Sequence, residues 1–410
     1  MSVTFALRGT LEDHALDAES SSPVVVSKIQ LAALFYCSLA LWTVGNGLIP
    51  LLPVYVRQLG AGASVIGYSL SIIYLALATG TIFAGWLSDR FQRRKPFFIM
   101  SGVGCVLALW LVGRTVNIWV ATSFFALAWF FGGMGLSLLS ILTGLFAPRD
   151  KRGGIFGLIT STGGLGALAG GLAFGPIADL FGYSSMFAMV AIFSISGPLT
   201  GFLLKDELGT QRKLSVERHV GASLMLLLVA STLAGIALFV GLLGRSLVMN
   251  QLGFNSAAIS STAAIGGAVT LPLPLLFGVL SDCVGRKRLL ALCYAMAIIG
   301  MLSLAVSSLI WNFWIAISFL TVLSYASSGI GYAFVTDLTP RKYLGRNISL
   351  YGATTWMGGI VGFAIAGVIM QTVGSSLTFL LGAILLFVAL SFLMGIRQNA
   401  TSYSKEKEPR

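Results

Sequence analysis

The sequence predicts an all-α membrane protein: twelve transmembrane helices arranged as two parallel, pseudo-symmetric six-helix bundles. Three observations predict it. The 410 residues are 56% hydrophobic and only 10% charged, with a mean hydropathy of +0.91, far outside the range of soluble domains. Apolar runs recur at the ~20-residue length that carries a helix across ~30 Å of hydrocarbon. Finally, a charged turn occurs twice: Gly-Trp-Leu-Ser-Asp-Arg-Phe-Gln-Arg-Arg-Lys from Gly85 to Lys95, and Gly-Val-Leu-Ser-Asp-Cys-Val-Gly-Arg-Lys-Arg from Gly278 to Arg288.

Runs broken by charge or turn residues place spans 1 to 12 at 29–52, 64–86, 96–113, 117–143, 154–178, 184–204, 220–244, 257–280, 289–308, 312–336, 347–371 and 377–396. Around them lie an N-terminal tail (1–28), a linker (205–219) and a C-terminal tail (397–410), with six-helix bundles at 29–204 and 220–396. The linker is charged and too short for a domain. Gly85 and Gly278 are 193 residues apart, as are the Gln-Leu-Gly triplets at Gln58 and Gln251. Pro148 and Pro340, Gly182 and Gly374, and Phe187 and Phe379 are each 192 apart. Six spans therefore repeat in the same orientation, which predicts a binding site near the midplane between the halves.

Placing both termini in the cytoplasm puts all but Arg57, Arg114 and Arg245 of the 26 basic residues in inside segments, as the positive-inside rule requires. The basic excess over 14 acidic residues is thus topological, and no continuous basic stripe suggests nucleic acid. Cys37, Cys105 and Cys293 sit in apolar runs and Cys283 in a turn, so neither a disulfide framework nor a metal site is indicated. The polar, slightly acidic start is unlike a cleavable signal, and span 1 is expected to act as its own insertion signal. His14 and His219 read as solvated. No cofactor is expected.

At the two charged turns the chain resembles the major facilitator superfamily, whose motif between helices two and three is Gly-x-x-x-Asp-Arg/Lys-x-Gly-x-Arg/Lys-Arg/Lys. The likeness extends over nearly all of 29–396. Gln92 replaces the usual glycine of the first copy, and Cys283 the basic residue of the second. Physically, Gly85 permits close helix approach, and Asp89 at the end of span 2 can accept bonds from a helix N-terminus. The resemblance implies that this N-terminus is span 11, near Gly345-Arg346-Asn347, with contact made when the cytoplasmic side closes. By symmetry Asp282 would face the start of span 5 near Gly153-Gly154. The family often pairs a turn arginine with an acid ending helix four. The repeat partner of Asp337 is Leu145, so that acid is missing in the first half, while Asp337 can pair with Arg286. Gly85, Asp89, Arg90, Arg93, Arg94, Gly278, Asp282, Arg286 and Asp337 are therefore the candidate conformational latch, against purely topogenic charges.

Span 5 holds Gly163-Gly164-Leu165-Gly166-Ala167-Leu168-Ala169-Gly170-Gly171. This is similar to the glycine-proline-x-x-glycine-glycine pattern of drug and proton antiporters, with Ala167 at the proline; Gly175-Pro176 would supply a kink instead. Plain close packing is the competing reading. Pro50-Leu51-Leu52-Pro53 ends span 1, and Leu271-Pro272-Leu273-Pro274 is expected to bend span 8.

Ionisable groups inside a membrane cost about 2.5–3.5 kcal/mol on insertion scales and mark ion routes. The sequence reads as having none deep in the bilayer, with Arg245 a turn from the outer loop and able to snorkel. The antiporter-type acid in helix one and arginine in helix four have no counterpart in Gly45-Asn46-Gly47 or Ala128-Trp129-Phe130-Phe131-Gly132-Gly133. If spans 1, 4, 7 and 10 line the cavity, as the resemblance implies, the substrate candidates are Asn46, Trp129, Ser137, Thr232, Ser324 and Tyr325. Tyr74, Thr262 and Trp356 from spans 2, 8 and 11 join them. Neutral, aromatic walls suit lipophilic or uncharged solutes.

The expected function is secondary transport of small hydrophobic or amphipathic solutes by alternating access, as an efflux pump in a prokaryotic plasma membrane, monomeric, with proton antiport an option that no residue supports. A uniporter or importer of a neutral metabolite is the alternative. A transport-inactive sensor or scaffold is the second. No nucleophile-base or metal-spacing motif suggests an enzyme.

Overall fold

The computed structural model describes residues 27–147, 152–206, 220–340 and 343–396. The linker from 207 to 219, the N-terminal tail up to residue 26, the whole C-terminal tail, His14, His219 and Pro148-Arg149 lie outside the described residues. Among those described, ten helices are long and apolar enough to cross a membrane. Two further crossings are hidden by helix breaks. Arg152–Ser194 runs through Pro176 and breaks at Gly182, whose φ of 77° is left-handed, so spans 5 and 6 join at Gly182. Span 8 is split into Ser256–Thr270 and Leu273–Val284, because prolines at 272 and 274 remove two backbone donors. Twelve crossings result, as expected.

The remaining spans are Lys28–Leu48 (1), Ala63–Phe91 (2), Lys95–Val112 (3), Ile118–Phe146 (4), Ala222–Gln251 (7), Arg286–Ala305 (9), Leu344–Thr372 (11) and Ser375–Gly395 (12). Span 10 is compound: helix Ile310–Ala326, a five-residue π turn Ser327–Gly331, then helix Tyr332–Leu338. Several sequence-based bounds shift by a few residues, as in span 2, which ends at Phe91 instead of 86, and two of the shifts bear on the site. Span 1 stops at Leu48 instead of 52, and a short helix, Leu52–Gln58, restarts with Pro53 in its first turn, where its missing N–H costs nothing. Span 7 runs to Gln251 instead of 244, which draws Arg245 inside the helix.

The repeat is visible in hydrogen bonds. On the face carrying the charged turns, Lys95 Nζ donates to Phe202 O (2.6 Å). Lys287 Nζ, 192 residues on, donates to Met394 O (2.8 Å) and Ile396 O (2.7 Å). Each lysine lies in the first turn of the third helix of its half and caps the carbonyl end of the sixth, where the helix dipole favours a cation. The offset falls from 193 to 192 inside the turn. Gln92 (φ 53°) and Gly285 (φ 89°) are its left-handed residues, and the second turn is one residue shorter after that point.

On the opposite face the halves interlock. Ser64 N–H, in the first turn of span 2, donates to Gln371 Oε1 at the end of span 11 (2.8 Å). The repeat-related pair is Ala257 N–H, in the first turn of span 8, donating to Asp179 Oδ2 at the end of span 5 (2.8 Å); Ser256 N–H reaches the other carboxylate oxygen at 2.8 Å. Further in, a Cβ on Gly67 would lie 2.5 Å from Phe363 O and 2.8 Å from Gly367 Cα. Gly175 abuts Ser260 in the related place, and Ser71 Oγ donates to Ile360 O (2.5 Å). Small residues bring these backbones together. The glycine-dense stretch of span 5 serves the same packing, Gly166 and Gly170 against span 1, Gly164 and Gly171 against span 8.

Toward the charged-turn face the halves part. The lower piece of span 8, Leu273–Val284, packs on spans 9 and 10 instead of span 5. Gly85, Gly154 and Gly157 face open space. Gly85 was expected at a close helix contact; in this arrangement an added Cβ would meet nothing within 4 Å.

Candidate functional site: a central cavity open to the charged-turn face

A cavity of about 280 Å³ sits between the halves. Spans 1, 2, 3, 4, 6, 7, 10 and 11 all contribute to its wall. Five of the nine sequence candidates line it: Asn46, Tyr74, Trp129, Ser324 and Trp356. The rest of the wall is mostly aliphatic and aromatic, including Leu77, Leu109, Leu238 and Phe239. Tyr74 is clamped edge-on by Phe239 (4.9 Å between centroids) and Phe363 (5.0 Å), so it closes the end of the cavity nearest the interlocked face. Asn46 Nδ2 donates to Gly163 O (3.0 Å), which fixes its amide between spans 1 and 5.

A side branch of about 140 Å³ shares Asn46, Ile49, Leu238, Leu242 and Ser324 with the main cavity. It brings in Thr262 and Tyr325, completing seven of the nine. Ser137 and Thr232 line neither space. Ser137 is turned about 80° round the helix from Trp129, and its neighbour Leu136 takes the wall position. The Thr232 hydroxyl instead donates to Leu228 O on its own helix (2.9 Å).

The branch also holds Arg245, contrary to the sequence expectation of a snorkelling interfacial arginine. It is 2% exposed. Taking that arginine as the end of the apolar run caused the miss; the Gln251-Leu252-Gly253 triplet, repeating Gln58-Leu59-Gly60, marks where the helix actually stops.

At the charged turns, Arg286 Nη1 donates to Asp337 Oδ1 and to Ala333 O, both at 2.6 Å. Arg94, which has no acid at Leu145 to meet, is fully buried. Its Nε donates to Ser88 Oγ (3.0 Å), and its guanidinium lies 3.9 Å from Asp206. Asp206 Oδ2 also accepts the N–H groups of Arg94 (2.5 Å) and Lys95 (3.0 Å). The first linker acid thus caps span 3, a role that its place in the linker concealed. Asp89, Arg90 and Arg93 are exposed, and Asp89 forms no side-chain hydrogen bond or ion pair among the described residues. Its expected contact with the start of span 11 is not made in this arrangement. The packing around Gly278 and the side chain of Asp282 lie outside the described residues.

Twelve crossings in two related halves about a solute-sized cavity define a secondary transporter, not an enzyme. The profile of the Major Facilitator Superfamily matches residues 34–244 and again 225–410, and the chain belongs to that family. It is 26% identical over 368 residues to the multidrug resistance protein MdtG of Proteus mirabilis, covering 84% of this chain and 90% of that one. It is 29% identical over 285 residues to the MdtG of Salmonella choleraesuis, covering 64% and 69%. The nucleoside transporter NupG shares the fold with a TM-score of 0.73 at 14% identity, covering 91% of this chain and 100% of that one. The peptide transporter POT in complex with sulfate does so at 0.68 and 14%, covering 90% and 94%.

Proposed function

We propose that the protein exports small hydrophobic or amphipathic molecules from the cytoplasm by rocking its two halves, with the charged-turn face cytoplasmic, as a monomer in the bacterial inner membrane. The observation that carries this reading is the apolar, aromatic cavity between the halves, closed on the face opposite the charged turns by paired helix ends. The basic turns favour the cytoplasmic side by the positive-inside rule, so the cavity faces the side from which an exporter loads. The multidrug resistance names of the relatives support the same direction.

In this reading Asp89 and its neighbours Arg90, Arg93 and Arg94 act when the cytoplasmic mouth shuts, and Arg286–Asp337 stiffens the second half against the same motion. Among the described residues no carboxylate lines either space, which favours a second reading in which solute movement is not coupled to protons. Proteoliposomes loaded with a pH-sensitive dye separate the two. Solute-dependent proton flux supports antiport, solute exchange without proton movement supports uniport, and an inert protein removes both and favours the scaffold.

A further inference from the structure

We propose that the side branch around Arg245 is an anion subsite, which takes the carboxylate of an amphipathic substrate while the apolar body lies in the main cavity. The proposal rests on the reading of the cavity as the solute site and names the substrate class for it. Arg245 is 2% exposed, and its Nε is buried without a hydrogen bond. A guanidinium cannot shed its proton in a protein, so burial leaves the charge in place. Such a charge needs a partner.

None is supplied by the described residues. The two ion pairs among the described residues are Arg94–Asp206 and Arg286–Asp337, both at the charged turns. Around Arg245 the branch offers only neutral polar groups: Asn46, Thr262, Thr270, Thr321, Ser324 and Tyr325. Four of these groups already donate to backbone carbonyls, Asn46 to Gly163 O, Thr262 to Ile259 O, Thr270 to Gly267 O and Thr321 to Ile317 O, so the guanidinium is the fixed cation of a site with no built-in counter-ion among the described residues. A planar guanidinium also matches a carboxylate with two parallel bonds. The branch and the main cavity share wall residues, so one molecule can place its acid in the first and its apolar body in the second. A cationic drug of the same shape would meet like charge and be rejected.

The test uses the full chain in nanodiscs and a matched series: para-butylbenzoate, para-butylbenzamide and para-butylbenzylammonium, with binding read by tryptophan fluorescence and calorimetry. The benzoate is expected to bind about tenfold or more tighter than the amide, and the ammonium weakest. Arg245→Gln should bring the benzoate down to the affinity of the amide, and Arg245→Lys should keep part of the preference. Equal binding of benzoate and amide by the unmodified protein overturns the anion subsite while leaving the cavity reading intact, and needs no variant to fold. Failure of all three probes to bind instead counts against the cavity as the solute site.

Discussion

The two faces of the molecule stand in different states, one interlocked and the other with its candidate acceptor unengaged. Away from the charged turns, the first turns of spans 2 and 8 donate to Gln371 and Asp179, and Gly67 and Gly175 remove the bulk that would keep the helices apart. At the charged turns, Asp89 ends span 2 with its carboxylate exposed. The acceptor is present there and the helix start is not in reach. The comparison teaches that holding a face shut requires little specialised chemistry: at the interlocked face a side-chain oxygen, a helix start and small residues between them make the contact. The interlocked face also contains its own control, since the repeat supplies a neutral acceptor on one side and an anionic one on the other.

The largest break in this comparison should come from bulk. Gly67→Val forces a side chain into Phe363 O and Gly367, and overpacking of this kind costs about 1–3 kcal/mol. Spans 2 and 11 are expected to part, with transport reduced about tenfold and cysteines introduced near the interlocked face becoming reactive to a membrane-impermeant thiol reagent. Next comes the anionic acceptor. Asp179→Ala should weaken closure by about 1 kcal/mol, the usual cost of losing a helix-start acceptor, read as a larger open population by spin-label distances across that face. Gln371→Ala should do the same by about 0.5 kcal/mol; an equal or larger effect would show that charge contributes nothing to the lock.

Asp89→Asn sharpens the contrast from the other side. It should lower transport yet leave membrane insertion and the unfolding midpoint unchanged, because the carboxylate has no partner in this arrangement. Unchanged uptake and efflux rates would reject its role at the charged-turn face. The smallest effect is expected at Gln92, the one non-glycine with positive φ among the described residues. Gln92→Gly relieves up to about 1 kcal/mol of left-handed strain, checked as a small rise in melting temperature.

The crossings, their repeat and the charged turns were legible because length, charge and offset are properties of a linear string. Rotation about each helix was not. These helices are apolar on every side, so the pattern does not tell Trp129 from Ser137, or which side of span 7 meets the cavity. Arg245 was misplaced because a lone charge is a weaker boundary than a turn, and the repeat of Gln-Leu-Gly was the better guide. Asp179 and Gln371 are repeat partners that differ in charge. Their shared task emerges only when each is seen against the helix start it meets. Asp206 is hidden for a similar reason, since a linker acid advertises solvent exposure rather than a buried arginine.

Span 10 carries one more consequence. Its π turn, Ser327–Gly331, follows directly on Ser324 and Tyr325 and precedes the stretch holding Asp337, and Tyr351 Oη donates to Ser327 O at 3.0 Å. An i→i+5 turn throws the residues after it out of step with those before. Span 10 therefore presents Ser324 and Tyr325 to the cavity in one register and Asp337 to Arg286 in another, with a phenol from span 11 bonded at the step.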